Sequence, residues 1–443
     1  MQAQAQALSS KSRGVLAAVL GNAVEWYDFT VFAVMTPIIS RLFFPVDAHV
    51  PGSELNAILL TTALFGAGFF MRPVGGIVLG LYGDRRGRKA AMTLGMALMA
   101  LSVLLVTFAP TYRTAGMAAP LIVPLARLLQ GFSIGGEFGT STAFLIELAP
   151  PGRTGFFGSW QITGQLMAQV LGSALGFIVT QFFTPEQQAA GAWRIPFAVG
   201  LLIVPIAFYM RRNVMESSVF VQVRDSAKAR ARSMASELKQ PGVDYLIGMG
   251  MVVASAVSFY VTFGYTVTYA KQVLKLPVGQ SFLVQMIAAI VMLIVVPIAG
   301  TLADRYPRKK LLLGFLGAYL VTLFPLYLWV TSTPSIERLL LTQVIAGIFS
   351  AAFLGVYCTT LAELFPVKVR STSLAIVNNV AVLIFGGFAQ FFVTWLIKLT
   401  GSPLAPVMYV MIGLTLGFIA VVFLRRMPDA IRVSAASLET SRS

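Results

Sequence analysis

The sequence predicts an all-α polytopic membrane protein, with twelve transmembrane helices in two pseudo-symmetric six-helix bundles. Three observations predict this fold: the composition is too apolar for a soluble protein, twelve stretches can cross a bilayer, and two loop motifs occur once in each half. Of the 443 residues, 57% are hydrophobic and 11% are charged, and the mean hydropathy is +0.80. Because a soluble domain carries roughly 25% charged residues, this chain requires a lipid environment.

Each predicted helix is a stretch close to the ~20 apolar residues that a bilayer-spanning helix needs. The twelve stretches run over about 14–42, 56–82, 89–110, 117–147, 156–183, 194–211, 244–270, 280–303, 310–331, 337–363, 371–398 and 403–425. The start of the chain, MQAQAQALSSKSRG, has no cleavable signal pattern. We therefore expect the first span to serve as the targeting signal as well.

The positions of lysine and arginine predict the orientation in the membrane. With the N-terminus inside, cytoplasmic segments hold 24 of the 33 Lys and Arg residues and external segments hold 7, while Arg72 and Arg127 lie within spans. Cytoplasmic loops collect basic residues, so both termini are expected in the cytoplasm. This bias also accounts for the net charge of +16 without a nucleic-acid partner.

The same spans divide the chain into four parts. Residues 1–211 are predicted to form the first six-helix bundle, 212–243 a basic cytoplasmic linker, 244–426 the second bundle and 427–443 a short cytoplasmic tail. The linker is the longest polar stretch, and its composition is typical of a solvated connector near anionic lipid.

Residue counts exclude other classes of protein. Cys358 is the single cysteine, so no intramolecular disulfide can form, and the single histidine, His49, rules out a histidine-rich metal site. The sequence contains neither a phosphate-binding G-x-x-x-x-G-K-[ST] loop nor a serine–histidine–aspartate set. We expect no enzyme activity, no cofactor and no metal.

Two loop motifs recur at nearly the same offset. GLYGDRRGRK follows span two and GTLADRYPRK follows span eight, which puts Asp84 and Asp304 220 residues apart. Glu147 after span four and Glu363 after span ten are 216 apart. Two homologous halves follow, and parallel repeats of this kind hold a site between them that opens alternately to each side.

These loops are predicted to act as a latch at the cytoplasmic side. Asp84 beside Arg88 can pair with Glu147 or Arg153, and breaking such pairs would shift the balance between inward-open and outward-open forms. The corresponding residues of the second half are Asp304, Arg308, Glu363 and Arg370.

Five ionisable side chains fall inside predicted spans, where a charge is costly and usually functional. They are Glu25, Asp28, Arg72, Arg127 and Glu137. At ~1.5 Å per residue, Glu25, Arg72 and Glu137 lie near the middle of the bilayer and Arg127 near its outer face. Three acids outnumber two arginines, and burial drives an unpaired carboxylate to take up a proton.

We therefore expect proton coupling at Asp28, with Glu25 and then Glu137 as further candidates. Arginine does not give up its proton, so Arg72 and Arg127 are interpreted as clamps for an anion. The alternative is permanent ion pairing, of Arg72 with Glu137 or of Arg127 with Asp28.

Polar uncharged residues complete the predicted substrate site. Gln161, Gln165 and Gln169 recur every four residues and give span five an amide-lined face, which could bind carboxylate oxygens or pack against another helix. In the second half, neutral residues stand where the first half has charges, so Tyr260 and Asn378 are candidates there.

The loop motif after span two resembles the signature of the major facilitator superfamily, and RLLQG at 127–131 resembles its second signature. Four further strings resemble the metabolite:proton symporter family: GNAVEWYDF from Gly21, GFFMRPVGG from Gly68, GGEFG from Gly135 and WRIPF from Trp193. The second loop motif departs from the pattern because Pro307 replaces a glycine, so the two loops are not expected to gate equally.

The resemblance implies a transporter of the bacterial inner membrane. Members of the family carry citrate, tricarballylate, α-ketoglutarate, shikimate, or proline and betaine. The string GSWQ from Gly158, with Gln165, looks closer to the citrate and tricarballylate carriers, although osmolyte carriers also have GSW there.

The sequence thus predicts a monomeric secondary transporter that imports a small organic anion, a di- or tricarboxylate such as citrate, together with protons. A proton-coupled carrier of zwitterionic proline or betaine is the first alternative, and it would need an aromatic box around the ammonium group. A drug/proton antiporter and a channel are the others.

Overall fold

The computed structural model describes residues 19, 22–23, 25–44, 52–86, 88–135, 137–212, 242–366 and 369–424. The predicted linker and C-terminal tail lie almost wholly outside these ranges. So do the side chains of Asp84 and Arg88, two of the predicted latch residues.

The described residues of the first half form ten helices and two short 3₁₀ turns, at Gly116–Ala118 and Ala192–Arg194. The helices are α1 (25–34), α2 (Thr36–Phe43), α3 (Ser53–Arg86), α4 (Arg88–Thr107), α5 (Tyr112–Ala115), α6 (Ala119–Ile134), α7 (Glu137–Glu147), α8 (Thr154–Phe182), α9 (Pro185–Ala190) and α10 (Ile195–Arg212).

The second half repeats the arrangement, with two helical interruptions that the sequence did not predict. Its helices are α11 (Gly242–Ala256), α12 (Thr266–Gln272), α13 (Val278–Arg305), α14 (Arg308–Ser332), α15 (Ile336–Glu363), α16 (Arg370–Val382), α17 (Ala389–Thr400) and α18 (Ala405–Phe423). A π-helical turn at Val257–Phe263 follows α11, and another at Leu383–Gly387 joins α16 to α17.

The predicted all-α membrane fold is confirmed. Within the described residues every regular element is helical, and nine helical stretches are long and apolar enough to cross a membrane. Three of these stretches join successive elements: α6 with α7, α11 with the π-helical turn that follows it, and α16 with α17. The other three predicted spans correspond to shorter or interrupted helices: α1 with α2, α4 and α10.

Glycines bring α3 and α6 into backbone contact. A Cβ added to Gly131 would overlap the carbonyl oxygen of Gly68, and one added to Gly135 would overlap the carbonyl oxygen of Arg72. Inside a bilayer, helices gain nothing from hiding apolar surface, so close packing at small residues holds them together. This packing puts Arg72 of α3 beside the helix that carries Arg127.

The two halves meet chiefly through three helices of the first half, α3, α7 and α8. In the first half α8 packs against α13 and α15, α7 packs against α16, and α3 packs against α17. The backbones of α8 and α13 approach closely where Gly155 faces Gly300. Helices of both halves therefore form the interface at which the substrate site is predicted.

Candidate functional site

A cavity of about 20 Å³ lies between the halves, which is room for roughly one water molecule. Its walls are formed by Trp26, Phe138, Ile162, Gln165, Ser255, Ala256, Phe259, Tyr260, Tyr357, Asn378 and Val382. Three residues predicted to bind substrate, Gln165, Tyr260 and Asn378, are among them. All the residues of this lining are uncharged, and five are aromatic.

Arg72 lies directly behind this wall. Its guanidinium carbon is 4.0 Å from the ring centre of Phe69, 4.7 Å from that of Phe29 and 5.5 Å from that of Trp26. It also interacts electrostatically with Glu25 and Tyr260. The aromatic faces stabilise the cation that the bilayer would otherwise disfavour.

The Arg72 guanidinium keeps unused hydrogen-bonding capacity. Only 3% of the residue is exposed, and within the described part of the chain neither Nε nor Nη2 has a hydrogen-bond partner. The hydroxyl of Tyr260, on the cavity wall, interacts with this guanidinium but makes no well-aligned hydrogen bond among the described residues. Buried polar groups left unsatisfied cost about 1–3 kcal/mol each, so an arriving carboxylate would relieve this cost.

Arg127 and Asp28 form an ion pair instead of lining the cavity. Nη2 of Arg127 donates to Oδ2 of Asp28 at 3.0 Å, and the side-chain amide of Gln130 donates to the same oxygen. Arg127 is fully buried, with its guanidinium carbon 4.3 Å from the ring centre of Phe32. This conformation therefore shows the pairing that was the alternative to substrate binding by Arg127.

Some hydrogen-bonding atoms of this ion pair have no partner. Among the described residues, Oδ1 of Asp28 and both Nε and Nη1 of Arg127 have no hydrogen-bond partner. Breaking a buried pair by removing one charge is strongly unfavourable. A proton arriving at Asp28 would therefore have to be matched by another anion near Arg127.

The remaining predicted residues are placed differently from one another. Glu25 is 3% exposed and lies beside Arg72. Glu137, the first residue of α7, is half-buried next to Phe138 of the cavity wall. Gln161 lies outside the cavity lining and exchanges hydrogen bonds with Asn22, which ties α8 to the first span and agrees with the helix-packing alternative.

One end of the molecule, here called the inner end, is closed by contacts of Asp304. The two oxygens of this carboxylate accept hydrogen bonds from the backbone N–H groups of Gly155 at 2.6 Å and Phe156 at 2.9 Å. Those groups belong to the first turn of α8, where the helix dipole favours a negative charge. A residue of the second half thus caps a helix of the first half.

A second contact at the inner end joins two predicted latch residues, Arg308 and Glu363, to Thr154 at the start of α8. Arg308 pairs with Glu363 and donates to the hydroxyl of Thr154 at 2.8 Å, and that hydroxyl donates to Glu363 at 3.3 Å. Arg370 instead binds the carbonyl groups of Ala362 and Phe365 in its own half.

The first-half latch residues that the structure describes, Glu147 and Arg153, make fewer contacts with the other half. Glu147 and Arg153 are exposed, and Arg153 lies near enough to Asp304 to interact with it. The inner contact across the halves is therefore formed mainly by Asp304, Arg308 and Glu363.

The opposite end, here called the outer end, carries contacts that the sequence analysis missed. Glu54 in the first turn of α3 binds Lys271 of the second half at 2.8 Å and Arg41 at 2.7 Å. Lys398 donates to Asn56 at 2.7 Å. Burial lowers the pKa of the Lys271 ammonium, and its bond to Glu54 opposes that shift. The only available signal was a charged or amide side chain at the edge of a span, which is common in any membrane protein.

Comparisons with known proteins agree with this architecture. A family model described as Major Facilitator Superfamily matches residues 18–336 and 286–441. A citrate-proton symporter of Salmonella typhi is 35% identical over 93% of this chain and 93% of its own length. A glycine betaine/proline/ectoine/pipecolic acid transporter of Dickeya dadantii is 30% identical over 93% of this chain and 83% of its own.

A solved structure with the same fold is that of a D-xylose-proton symporter. It superposes with a TM-score of 0.75 at 18% identity, covering 94% of this chain and 98% of the other. The match runs through both halves, in agreement with the helices described above. The chain is an integral membrane protein that belongs to the Major Facilitator Superfamily and, within it, to the metabolite:proton symporter group.

Proposed function

We propose that this protein is a secondary active transporter that imports a small organic anion, a di- or tricarboxylate such as citrate, together with protons by alternating access. The observation that carries the proposal is Arg72. A buried guanidinium with two unused donor nitrogens lies beside the hydroxyl of Tyr260, behind a cavity at the half-interface. A carboxylate supplies the planar pair of acceptors that an arginine fork fits.

The proton is proposed to act by releasing an arginine for the substrate. Glu25 neutralises Arg72 and Asp28 neutralises Arg127 while both acids are ionised. Protonating either acid leaves the neighbouring guanidinium with an uncompensated charge, which an anionic substrate can balance. Proton and anion therefore favour each other's binding, which is the thermodynamic requirement for symport.

Uptake into proteoliposomes tests the proposal. An alkaline interior should drive labelled citrate to accumulate above its external concentration, and a protonophore should abolish the accumulation. External alkalinisation that accompanies citrate entry would show that protons move in the same direction. Proton movement opposite to the substrate would indicate an antiporter, and equilibration without accumulation would indicate a channel.

A zwitterion carrier is the second candidate because of the aromatic cavity wall. Trp26, Phe259 and Tyr260 form a cluster with ring centres 5.6–6.1 Å apart, and Phe138 and Tyr357 complete the lining. Aromatic faces bind quaternary ammonium groups, and the Dickeya dadantii relative is named as a glycine betaine transporter. Proton-driven uptake of glycine betaine but not citrate would decide for this candidate.

Asp28 is proposed as the group that cycles a proton, with Glu25 second. Asp28→Asn should abolish gradient-driven accumulation but leave exchange of substrate across the membrane, because the neutral amide cannot release a proton. Asp244→Asn, in the first turn of α11, is the matched control and should transport normally. Undiminished uphill uptake by Asp28→Asn would assign the proton to another acid.

We further propose that the inner end faces the cytoplasm, together with both termini, and that the protein works as a monomer. The excess of lysine and arginine in the predicted cytoplasmic segments supports this orientation. The family and the relatives are transporters, so we propose no catalytic activity.

A further inference from the structure

The π-helical turn at Val257–Phe263 brings Phe259 and Tyr260 to the cavity wall. In an α-helix the N–H of Gly264 would donate to the carbonyl of Tyr260. Here it donates to the carbonyl of Phe259 at 2.9 Å, one residue further back. The carbonyl of Tyr260 therefore loses its normal partner, and π-helical turns with such displaced bonds are common at functional sites.

A side chain from another span replaces the missing donor. The side-chain amide of Gln390, on α17, donates to the carbonyl of Tyr260 at 3.2 Å and is fully buried. Gly264 leaves space for this bond, since a Cβ there would lie 2.8 Å from the Tyr260 oxygen and 3.2 Å from the Gln390 nitrogen.

A second glutamine holds the end of the same turn. The side-chain amide of Gln285, on α13, donates to the carbonyl of Phe263. Its own oxygen accepts a hydrogen bond at 3.0 Å from the hydroxyl of Ser173 on α8 of the first half. This chain of bonds links the turn to the helix that also carries Gln165 of the cavity wall.

We propose that Gln390 and Gln285 are positioning residues for the substrate site. They satisfy the carbonyl groups that the π-helical turn leaves exposed, and so they hold the rings of Phe259 and Tyr260 against the cavity. Without them the turn would relax toward an α-helix. The extra residue that the π-helical turn accommodates would then be absorbed into the helix, which rotates the preceding residues by roughly 100° about the helix axis. The inference rests on the proposed function only for the identity of the substrate.

The turn itself can be measured without any substrate. Gln390→Met keeps the length of the side chain and removes the donor. Hydrogen–deuterium exchange of the amides at 257–264, measured in nanodiscs, should rise about fivefold, as expected when one net hydrogen bond is lost. Gln285→Met should produce the same rise, and it is the second variant if Gln390→Met does not fold.

Transport then separates positioning from general stability. For whichever of citrate and glycine betaine the wild-type protein carries, the two variants should raise KM at least fivefold with kcat changed less than twofold. The matched control is Gln343→Met, a glutamine of α15 that is 1% exposed and, among the described contacts, makes no hydrogen bond to the turn. It should change neither exchange at 257–264 nor KM.

Two results would overturn the inference. One is unchanged exchange at 257–264 in both glutamine variants, and the other is an equal rise in Gln343→Met. If the wild-type protein carries neither probe, the proposed substrate classes are wrong, while the exchange measurement still decides whether the glutamines hold the turn.

Discussion

At the scale of single residues, the molecule keeps charges in the membrane by giving each a different surrounding. Arg127 has an ionic partner in Asp28, whereas Arg72 lies among the rings of Trp26, Phe29 and Phe69 and keeps two donors unused. The first arrangement neutralises a charge within the protein. The second combines the nearby Glu25 with aromatic faces, which stabilise a cation without occupying its N–H groups.

Arg72→Lys should weaken the binding of an anionic substrate at least tenfold. Lysine keeps the charge but loses the planar fork and its stacking on the rings. Substrate affinity in purified protein, measured by thermal shift against a citrate series, checks this expectation. Arg113→Lys, at an exposed position, is the control. Wild-type affinity in Arg72→Lys would mean that the arginine has a structural role only.

At the scale of helices, close contact between helix backbones and π-helical interruptions within helices have different roles. Gly131 and Gly135 let α6 touch α3, which sets the spacing of the two buried arginines. The two π-helical turns pack against each other beside the cavity, where the ring edge of Tyr260 lies 2.8 Å from the position of a Cβ on Gly386. Close helix packing thus positions the charges, while the turn at Val257–Phe263 positions two rings of the aromatic wall.

Gly131→Ala should destabilise the protein by about 1–3 kcal/mol or more, as overpacking does. The added methyl group would overlap the backbone oxygen of Gly68, and neither helix backbone can move aside without separating α3 from α6. Thermal unfolding in detergent measures the effect. Gly314→Ala, where no atom lies within 4 Å of the added carbon, is the matched control and should unfold like the wild-type protein.

At the scale of the whole molecule, both ends of the half-interface are closed in this conformation. Asp304 and the Arg308–Glu363 pair hold the inner end, and Glu54 with Lys271 holds the outer end. A transporter that alternates between two openings must break one set while the other persists. The contacts at the two ends therefore shift the equilibrium between inward-open and outward-open forms in opposite directions.

Asp304→Asn and Glu54→Gln should shift this equilibrium in opposite directions. The first removes a charge from the N-terminus of α8, worth about 0.3–2 kcal/mol, and should favour opening of the inner end by up to roughly thirtyfold. The second removes the ionic partner of Lys271 and should favour opening of the outer end.

Distances between spin labels at the two ends measure the shift. Labels at Pro151 and Tyr306 span the inner end, and labels at Glu186 and Thr333 span the outer end; all four positions are exposed. If both substitutions widened the same pair, or neither pair, the two contacts would not be gates.

Sequence alone determined the membrane character, the repeated halves and the identity of the buried charges. Hydropathy and repeats depend only on the order of residues along the chain, so they can be recognised without knowing how the helices pack. Gln165, Tyr260 and Asn378 could be singled out from the sequence because polar groups in a span are few; they line the cavity, and their binding of substrate stays a prediction. Tertiary structure alone decided that Arg127 meets Asp28, 99 residues away, and that Arg72 meets aromatic rings. Such partners depend on how each helix is rotated and how closely it approaches its neighbours, and those two quantities come from packing over the whole molecule.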